Sequence, residues 1–110
     1  MDRLEVKMKS IVVIPTYNEK ENIASIINEV LKQIEGLNIL IVDDNSPDGT
    51  AEIVKQMQRI DPRIHLMVRP GKMGLGTAYC EGFRYALDAG FEAIFEMDAD
   101  FSHDPKELPN

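Results

Sequence analysis

The chain has 110 residues, with 12 Lys and Arg against 19 Asp and Glu for a net charge of −7, and 44% of its residues are hydrophobic. That composition suits one small globular domain able to bury a core, and excludes disorder and collagen-like repeats. The acidic balance, with no basic stripe, excludes a general nucleic-acid binder, which needs Lys and Arg to neutralise phosphates.

In chain order, short β-branched runs alternate with helix-period segments, the pattern of a mostly parallel sheet covered by helices. Ile11 to Ile14 is apolar on both alternating faces, as a strand buried between two helix layers requires, and Pro15 is expected to end it. Asn18 is the expected cap of a helix whose face is Ile23, Ile26, Ile27, Val30, Leu31 and Ile34, with Gly36 as its stop. Ile39 to Val42 repeats the strand pattern and runs into Asp43-Asp44-Asn45-Ser46-Pro47-Asp48-Gly49-Thr50, a loop of turn formers in which Asp48 and Thr50 are candidate caps. A second helix presents Ile53, Val54, Met57 and Ile60 and ends at Asp61-Pro62, because proline disfavours a helical residue before it. The third strand is Ile64 to Val68. A glycine loop, Arg69 to Gly76, feeds a helix with Tyr79, Phe83, Ala86 and Leu87 on one side and Gly90 at its end, and Ala93 to Met97 is the fourth strand. Asp104-Pro105-Lys106-Glu107 has the order of a helix start, so the polypeptide is expected to be a piece of a longer one.

The single cysteine, Cys80, excludes an internal disulfide and a cysteine zinc cluster and is expected to act as a small hydrophobe. No apolar run approaches the ~18 residues of a membrane span, and Met1 to Ser10 lacks the apolar stretch of a signal peptide, so a cytoplasmic setting is expected.

In open parallel α/β sheets, ligands bind outside the carboxyl ends of the strands. The unusual residues gather there: Pro15-Thr16-Tyr17-Asn18-Glu19, Asp43-Asp44-Asn45-Ser46, Arg69 with the glycine loop, and Asp98-Ala99-Asp100. Two carboxylates one residue apart, Asp98 and Asp100, can both reach a hard divalent cation that also binds phosphate oxygens. Read alone they are more often two solvated loop acids, but Asp43, Asp44, Asp98 and Asp100 around one crevice repel one another, and a bound cation relieves such crowding. One of Asp43 and Asp44 is expected to form an Asx turn or cap, the other to accept bonds from a base or ribose. Tyr17 is a candidate to stack on a base, and Glu19 suits a helix N-terminus. GKMGLG matches neither phosphate-binding fingerprint and Lys72 is by default a solvated loop lysine; His65 reads as packing, His103 as a modest metal or phosphate candidate.

PTYNE at 15–19, VDDNSPDGT at 42–50, GLGTAY at 74–79 and MDADFSHDP at 97–105, in this order and spacing, resemble inverting family 2 glycosyltransferases, and among them the dolichol-phosphate (polyprenol-phosphate) mannosyltransferases. The resemblance implies a GT-A (Rossmann-like) α/β fold: a mostly parallel open sheet with helices on both faces, here a truncated βαβαβαβ portion. Residues 1–9 would be a tail and 10–110 the nucleotide-sugar-binding half of the domain. It further implies transfer of mannose from GDP-mannose to a dolichyl or polyprenyl phosphate at the cytosolic face of a membrane, with Mg²⁺ or Mn²⁺. Position by position, Pro15, Tyr17 and Glu19 would line the nucleotide site, Val42 and Asp44 would hold the base, and Asp98, Ala99 and Asp100 would meet ribose, diphosphate and metal. Asp98 and Asp100 are the implied catalytic residues and Asp100 the main metal ligand. Ser102 stands where some relatives carry Gln as a further ligand, and Asn45 where many carry Gly, a change that a left-handed turn position tolerates.

Four other possibilities stay open on sequence grounds. A phosphatase of the D-x-D-x-[TV] type is imitated by Asp98 to Ser102, although there the motif follows the first strand. A dinucleotide enzyme is weakened by the missing fingerprint. The chain is also consistent with a nucleotide-sugar-binding fragment without turnover, or with another family 2 transferase such as a glucosyltransferase.

Overall fold

The computed structural model describes residues 9–71 and 74–99. The elements follow in the order β1 (Ser10–Thr16), α1 (Ile23–Gln33), β2 (Asn38–Asp43), α2 (Thr50–Gln58), β3 (Ile64–Val68), α3 (Leu75–Asp88) and β4 (Ala93–Glu96). They build one four-stranded sheet, wholly parallel, in the order β3-β2-β1-β4. Chain order runs outward from β1 through β2 to β3, then jumps back across β1 to β4. The point where the direction reverses therefore lies between β1 and β4, and a crevice opens there at the carboxyl ends of such strands.

The double-sided apolar strands meet helices on both faces, as the α/β pattern predicts. Val12, Ile14, Ile39 and Ile41 pack with Ile23, Ile26, Ile27 and Val30 of α1 and Val54 of α2. On the opposite face Ile11, Val13, Leu40 and Val42 pack under Ala78 and Ala86 of α3. The residue preceding β1 is tied in as well: the Lys9 carbonyl accepts from the Glu92 and Ala93 N–H groups, and its Nζ donates to the Ala89 carbonyl at 3.0 Å.

Four local expectations are corrected. Pro15 does not end β1, which continues in register to Thr16↔Asp43. The Val13 carbonyl accepts from Met97 N, so odd-numbered positions of β1 aim their backbone at β4, and that ladder reaches only Val13↔Glu96. The missing proline N–H thus falls where no ladder bond is due. Asn18 is not a cap: its φ is +57°, and α1 begins at Ile23 after Asn22. Ile60 lies past the end of α2 and is 85% exposed, because the chain tightens with Ile60 N and Asp61 N both donating to the Met57 carbonyl. Phe83 and Leu87 point largely outward, 44% and 55% exposed, while Ala78, Gly82 and Ala86 face the sheet. A Cβ on Gly82 would collide with the Val13 side chain and crowd Val42, so α3 sits too close for large residues on its inner face.

A candidate nucleotide-diphosphate site at the carboxyl end of the sheet

A cavity of about 250 Å³ opens at the switch point, lined by Pro15, Thr16, Tyr17 and Glu19 after β1, Asp44 after β2, Gly74, Leu75 and Ala78 of the α3 start, and Asp98 and Ala99 after β4. Six residues singled out from the sequence, Pro15, Tyr17, Glu19, Asp44, Asp98 and Ala99, share this one wall. Val42 does not: its side chain is fully buried in the core beneath α3. Asp100 and Ser102 lie outside the described residues, as do Lys72, His103 and the helix start at Asp104.

The loop after β1 is held by the loop after β2. Three successive backbone N–H groups donate to side chains there: Asn18 N to Ser46 Oγ at 2.8 Å, Glu19 N to Thr50 Oγ1 at 3.0 Å, and Lys20 N to Asp48 Oδ2 at 3.1 Å. Donors that a helix cap would serve are thereby engaged elsewhere, which is why α1 starts late. Asp48 also accepts from the Thr50 N–H at 3.0 Å, an Asx turn and not the cap expected of it: the residue at the cap of α2 is Gly49, with φ +96° and no side-chain cap bond, and Thr50 is the first residue of the helix. Asn45 has φ +57°, the left-handed turn position anticipated for it.

The adjacent carboxylates Asp43 and Asp44 have separate environments. Asp43, fully buried, accepts from Thr16 Oγ1 at 2.6 Å, from Ser46 N at 2.9 Å and from Ser46 Oγ at 2.7 Å, so it is the turn-forming member of the pair. Asp44 lines the cavity and takes a forked bond from Arg69, Nε to Oδ1 at 2.6 Å and Nη2 to Oδ2 at 2.9 Å. Hydrogen bonding to Asp44 raises the Arg69 guanidinium further above its ordinary value, against the opposing effect of burial. The repulsion expected of clustered acids is therefore relieved within the protein for these two, by hydroxyl and amide donors at one and a cation at the other. Sequence reasoning placed Arg69 at the crevice but assigned it no task; a single basic residue directly after a strand, among acidic strand ends, was the available signal.

At β4's end the Tyr79 hydroxyl donates to Asp98 Oδ1 at 2.6 Å, linking α3 to the D-x-D segment. Sequence reasoning placed Tyr79 on one side of the helix and within GLGTAY but assigned it no task. The oxygen donors on the wall, the carboxylates of Glu19, Asp44 and Asp98, are of the hard type that suits Mg²⁺ or Mn²⁺. Among the described residues no three His, Cys, Asp or Glu side chains gather closely enough to hold a metal alone. Such an ion would need further oxygens, from the remainder of the D-x-D segment or from a bound diphosphate.

The sequence model for glycosyl transferase family 2 matches residues 11–110. The chain belongs to this family. The family 2 chain is 46% identical over 101 residues to the polyprenol monophosphomannose synthase of Mycolicibacterium smegmatis, covering 91% of this chain and 38% of that protein. It is 41% identical over 102 residues to the undecaprenyl-phosphate mannosyltransferase of Micrococcus luteus, covering 93% of this chain and 42% of the relative. The chain thus spans less than half the length of these curated relatives. Among solved structures, mannosyltransferase PcManGT from Pyrobaculum calidifontis, in complex with GDP-Man and Mn²⁺, superposes with a TM-score of 0.75 at 26% identity, covering 86% of this chain and 28% of that one. TarS residues 1–349 from S. aureus superposes with a TM-score of 0.64, also at 26% identity, covering 84% of this chain and 28% of that one. The fold is thereby the GT-A type, and these strands are the first part of it. Among the described residues, no helix of the family 2 chain is long and apolar enough to cross a membrane.

Proposed function

We propose that this chain is the donor-binding part of a transferase that moves mannose from GDP-mannose to a polyprenyl or dolichyl phosphate, with inversion, at the cytosolic face of a membrane. The observation that carries the proposal is the convergence of Pro15, Tyr17, Glu19, Asp44, Asp98 and Ala99 on one cavity at the switch point. In this reading residues 10–110 form the nucleotide-sugar-binding half, and the additional length of the longer relatives supplies the acceptor site.

Tyr17, 37% exposed at the cavity wall, stacks on the base or ribose. Asp44 accepts from the donor edge of the base. Asp98, oriented by the Tyr79 hydroxyl, meets the ribose and diphosphate, and together with Asp100 and Ser102 would hold Mg²⁺ or Mn²⁺. When bound, that cation stabilises the negative charge that develops on the departing diphosphate. The acceptor is a phosphate monoester with a second pKa of about 6, already largely an anion at neutral pH, so a general base on this chain is dispensable. A second reading, nucleotide-sugar binding without turnover by these 110 residues, is favoured by the cavity wall itself, which among the described residues carries three carboxylates and neither Lys nor Arg to hold an anionic acceptor.

Titration of the chain with GDP-mannose, with and without Mn²⁺, followed by an assay of mannose transfer to polyprenyl phosphate, separates these. Metal-dependent binding with transfer supports the full proposal, and metal-dependent binding without transfer supports the second reading. Indifference to both GDP-mannose and metal removes the donor site altogether.

A further inference from the structure

The guanidinium of Arg69 is 2% exposed, and each of its five N–H donors has an acceptor. Nε and Nη2 take the two oxygens of Asp44 at 2.6 and 2.9 Å; Nη2 also reaches the Gly74 carbonyl at 3.2 Å; Nη1 reaches Thr77 Oγ1 at 3.0 Å and Glu81 Oε2 at 3.4 Å. Thr77 Oγ1 in turn donates to the same Gly74 carbonyl at 2.9 Å. The backbone joins in, with Arg69 N donating to the Asp43 carbonyl at 2.8 Å. Arg69 therefore has no donor to offer a ligand, yet it grips two parts of the cavity wall: the carboxylate of Asp44 and the first turn of α3, where Gly74 and Leu75 line the same space.

A buried ion pair stabilises a fold little better than apolar groups of the same volume, so stability is a weak reason for placing one here. Orientation is a stronger one. A carboxylate that must accept two parallel hydrogen bonds from a ligand has to be held in one plane, and a fork behind it fixes that plane. Guanine presents such a pair of adjacent donors, its ring N–H and its 2-amino group, whereas hypoxanthine retains only the ring N–H and uracil offers a single N–H between carbonyls.

We propose that Arg69 is a positioning residue for base selection: acting through Asp44 and never touching the ligand, it sets the carboxylate plane that distinguishes a guanine edge from bases lacking the second donor, and it locks that plane to the start of α3. This rests on the cavity being a nucleotide-diphosphate site.

The test is calorimetric titration of the whole chain with GDP, inosine diphosphate and UDP in the presence of Mn²⁺, for the wild type, Arg69→Lys and Thr77→Val, with circular dichroism on each. The wild type is expected to prefer GDP over inosine diphosphate by about tenfold, the value of one well-placed hydrogen bond to a charged group. Arg69→Lys keeps the charge and loses the fork, so the GDP preference should collapse to about twofold or less while inosine diphosphate binding changes little. Thr77→Val removes one lateral partner of the guanidinium and should erode the preference in the same direction by about twofold, in a protein whose fold leaves Thr77 exposed. An unchanged GDP preference in folded Arg69→Lys overturns the proposal. So does parallel loss of all three nucleotides, which is the mark of a purely structural residue. Should Arg69→Lys not fold, Thr77→Val decides, an unaltered preference counting against. If the wild type binds none of the three, the donor-site reading itself has failed, a result distinct from a lost preference.

Discussion

At the carboxyl end of the sheet, Asp44 stands on the wall of a cavity with the buried Arg69 paired to it from behind, and Asp98 on the same wall accepts from Tyr79. At the amino end of the same sheet, the polar group is His65, whose Nδ1 meets the Tyr85 hydroxyl at 3.0 Å and whose Nε2 meets Asn38 Oδ1 at 3.1 Å. Its ring lies edge-on to Phe91, 5.9 Å away, and the Lys9 ammonium sits 4.5 Å above that Phe ring. Both clusters satisfy their polar atoms. They differ in charge: the carboxyl end keeps ionised groups whose fields project into a space, while the amino end keeps a neutral imidazole wedged among rings. Polar satisfaction alone therefore does not mark a functional site; charge held at a cavity wall does. α3 spans both ends, with Thr77 and Tyr79 at one and Tyr85 at the other, and this makes the contrast testable.

The largest expected effect comes from Asp44→Asn. It leaves the buried Arg69 cation without its forked carboxylate, and removing one member of a buried pair costs about 3–5 kcal/mol. The lower figure is expected because Glu81 remains 3.4 Å away. Urea unfolding should show a clear fall in the midpoint, together with loss of GDP binding. A variant as stable as the wild type would mean that Arg69 relaxes into solvent, and the contrast in charge between the two ends would lose its basis.

Gly82→Ala comes next and is the substitution expected to disturb both ends at once. Overpacking against Val13 costs about 1–3 kcal/mol, more than the roughly 1 kcal/mol that Ala gains over Gly inside a helix. A lower melting temperature accompanied by weaker GDP binding is expected. If the helix instead accepts the methyl group with no change in either, α3 is not the rigid bridge between the ends described above.

Tyr79→Phe confines the change to the carboxyl end. Loss of the hydroxyl bond to Asp98 should weaken GDP binding in Mn²⁺ about fivefold, roughly 1 kcal/mol, with little change in the unfolding midpoint. Equal loss of binding with and without metal would place Tyr79 outside the handling of the diphosphate.

Much of the carboxyl end could be read from residue order because period and position are local properties. The double-sided runs at Ile11 and Ile39 required helices on both faces, and the ends of those strands had to meet at the switch point. What escaped depended on contacts between distant segments. Asn18 looked like a cap until Ser46, 28 positions on, took its N–H. Phe83 and Leu87 looked like core because their spacing is helical, but the close approach of Gly82 to the sheet gave the inner face to alanines. Arg69 looked like a loop cation since nothing local says that its fork closes on Asp44, 25 positions earlier. Val42 is the reverse case: the motif pointed to the ligand, while its side chain is buried in the core beneath α3, so any contact with a base falls to its backbone.

The smallest expected effect is the pH response of the amino end. Burial, reinforced by the positive charge of Lys9, holds the His65 imidazole below its ordinary value of 6.5. Asn38 Oδ1 can only accept, so Nε2 carries the proton and Nδ1 accepts from Tyr85; protonating Nδ1 would make the Tyr85 hydroxyl turn from donor to acceptor. As pH falls through about 6.5 the unfolded chain takes up a proton before the folded one does, so stability declines with falling pH until the folded imidazole is itself protonated. Above that value this group adds no slope. Urea midpoints for the wild type and His65→Gln, measured from pH 8 down to pH 5, should part only below about pH 6.5, with the wild type falling faster. Because the imidazole is only half-buried, the divergence should be small. Parallel curves over the whole range would show that His65 titrates alike in both states, and the neutral wedge at the amino end would then be no different in kind from an ordinary surface histidine.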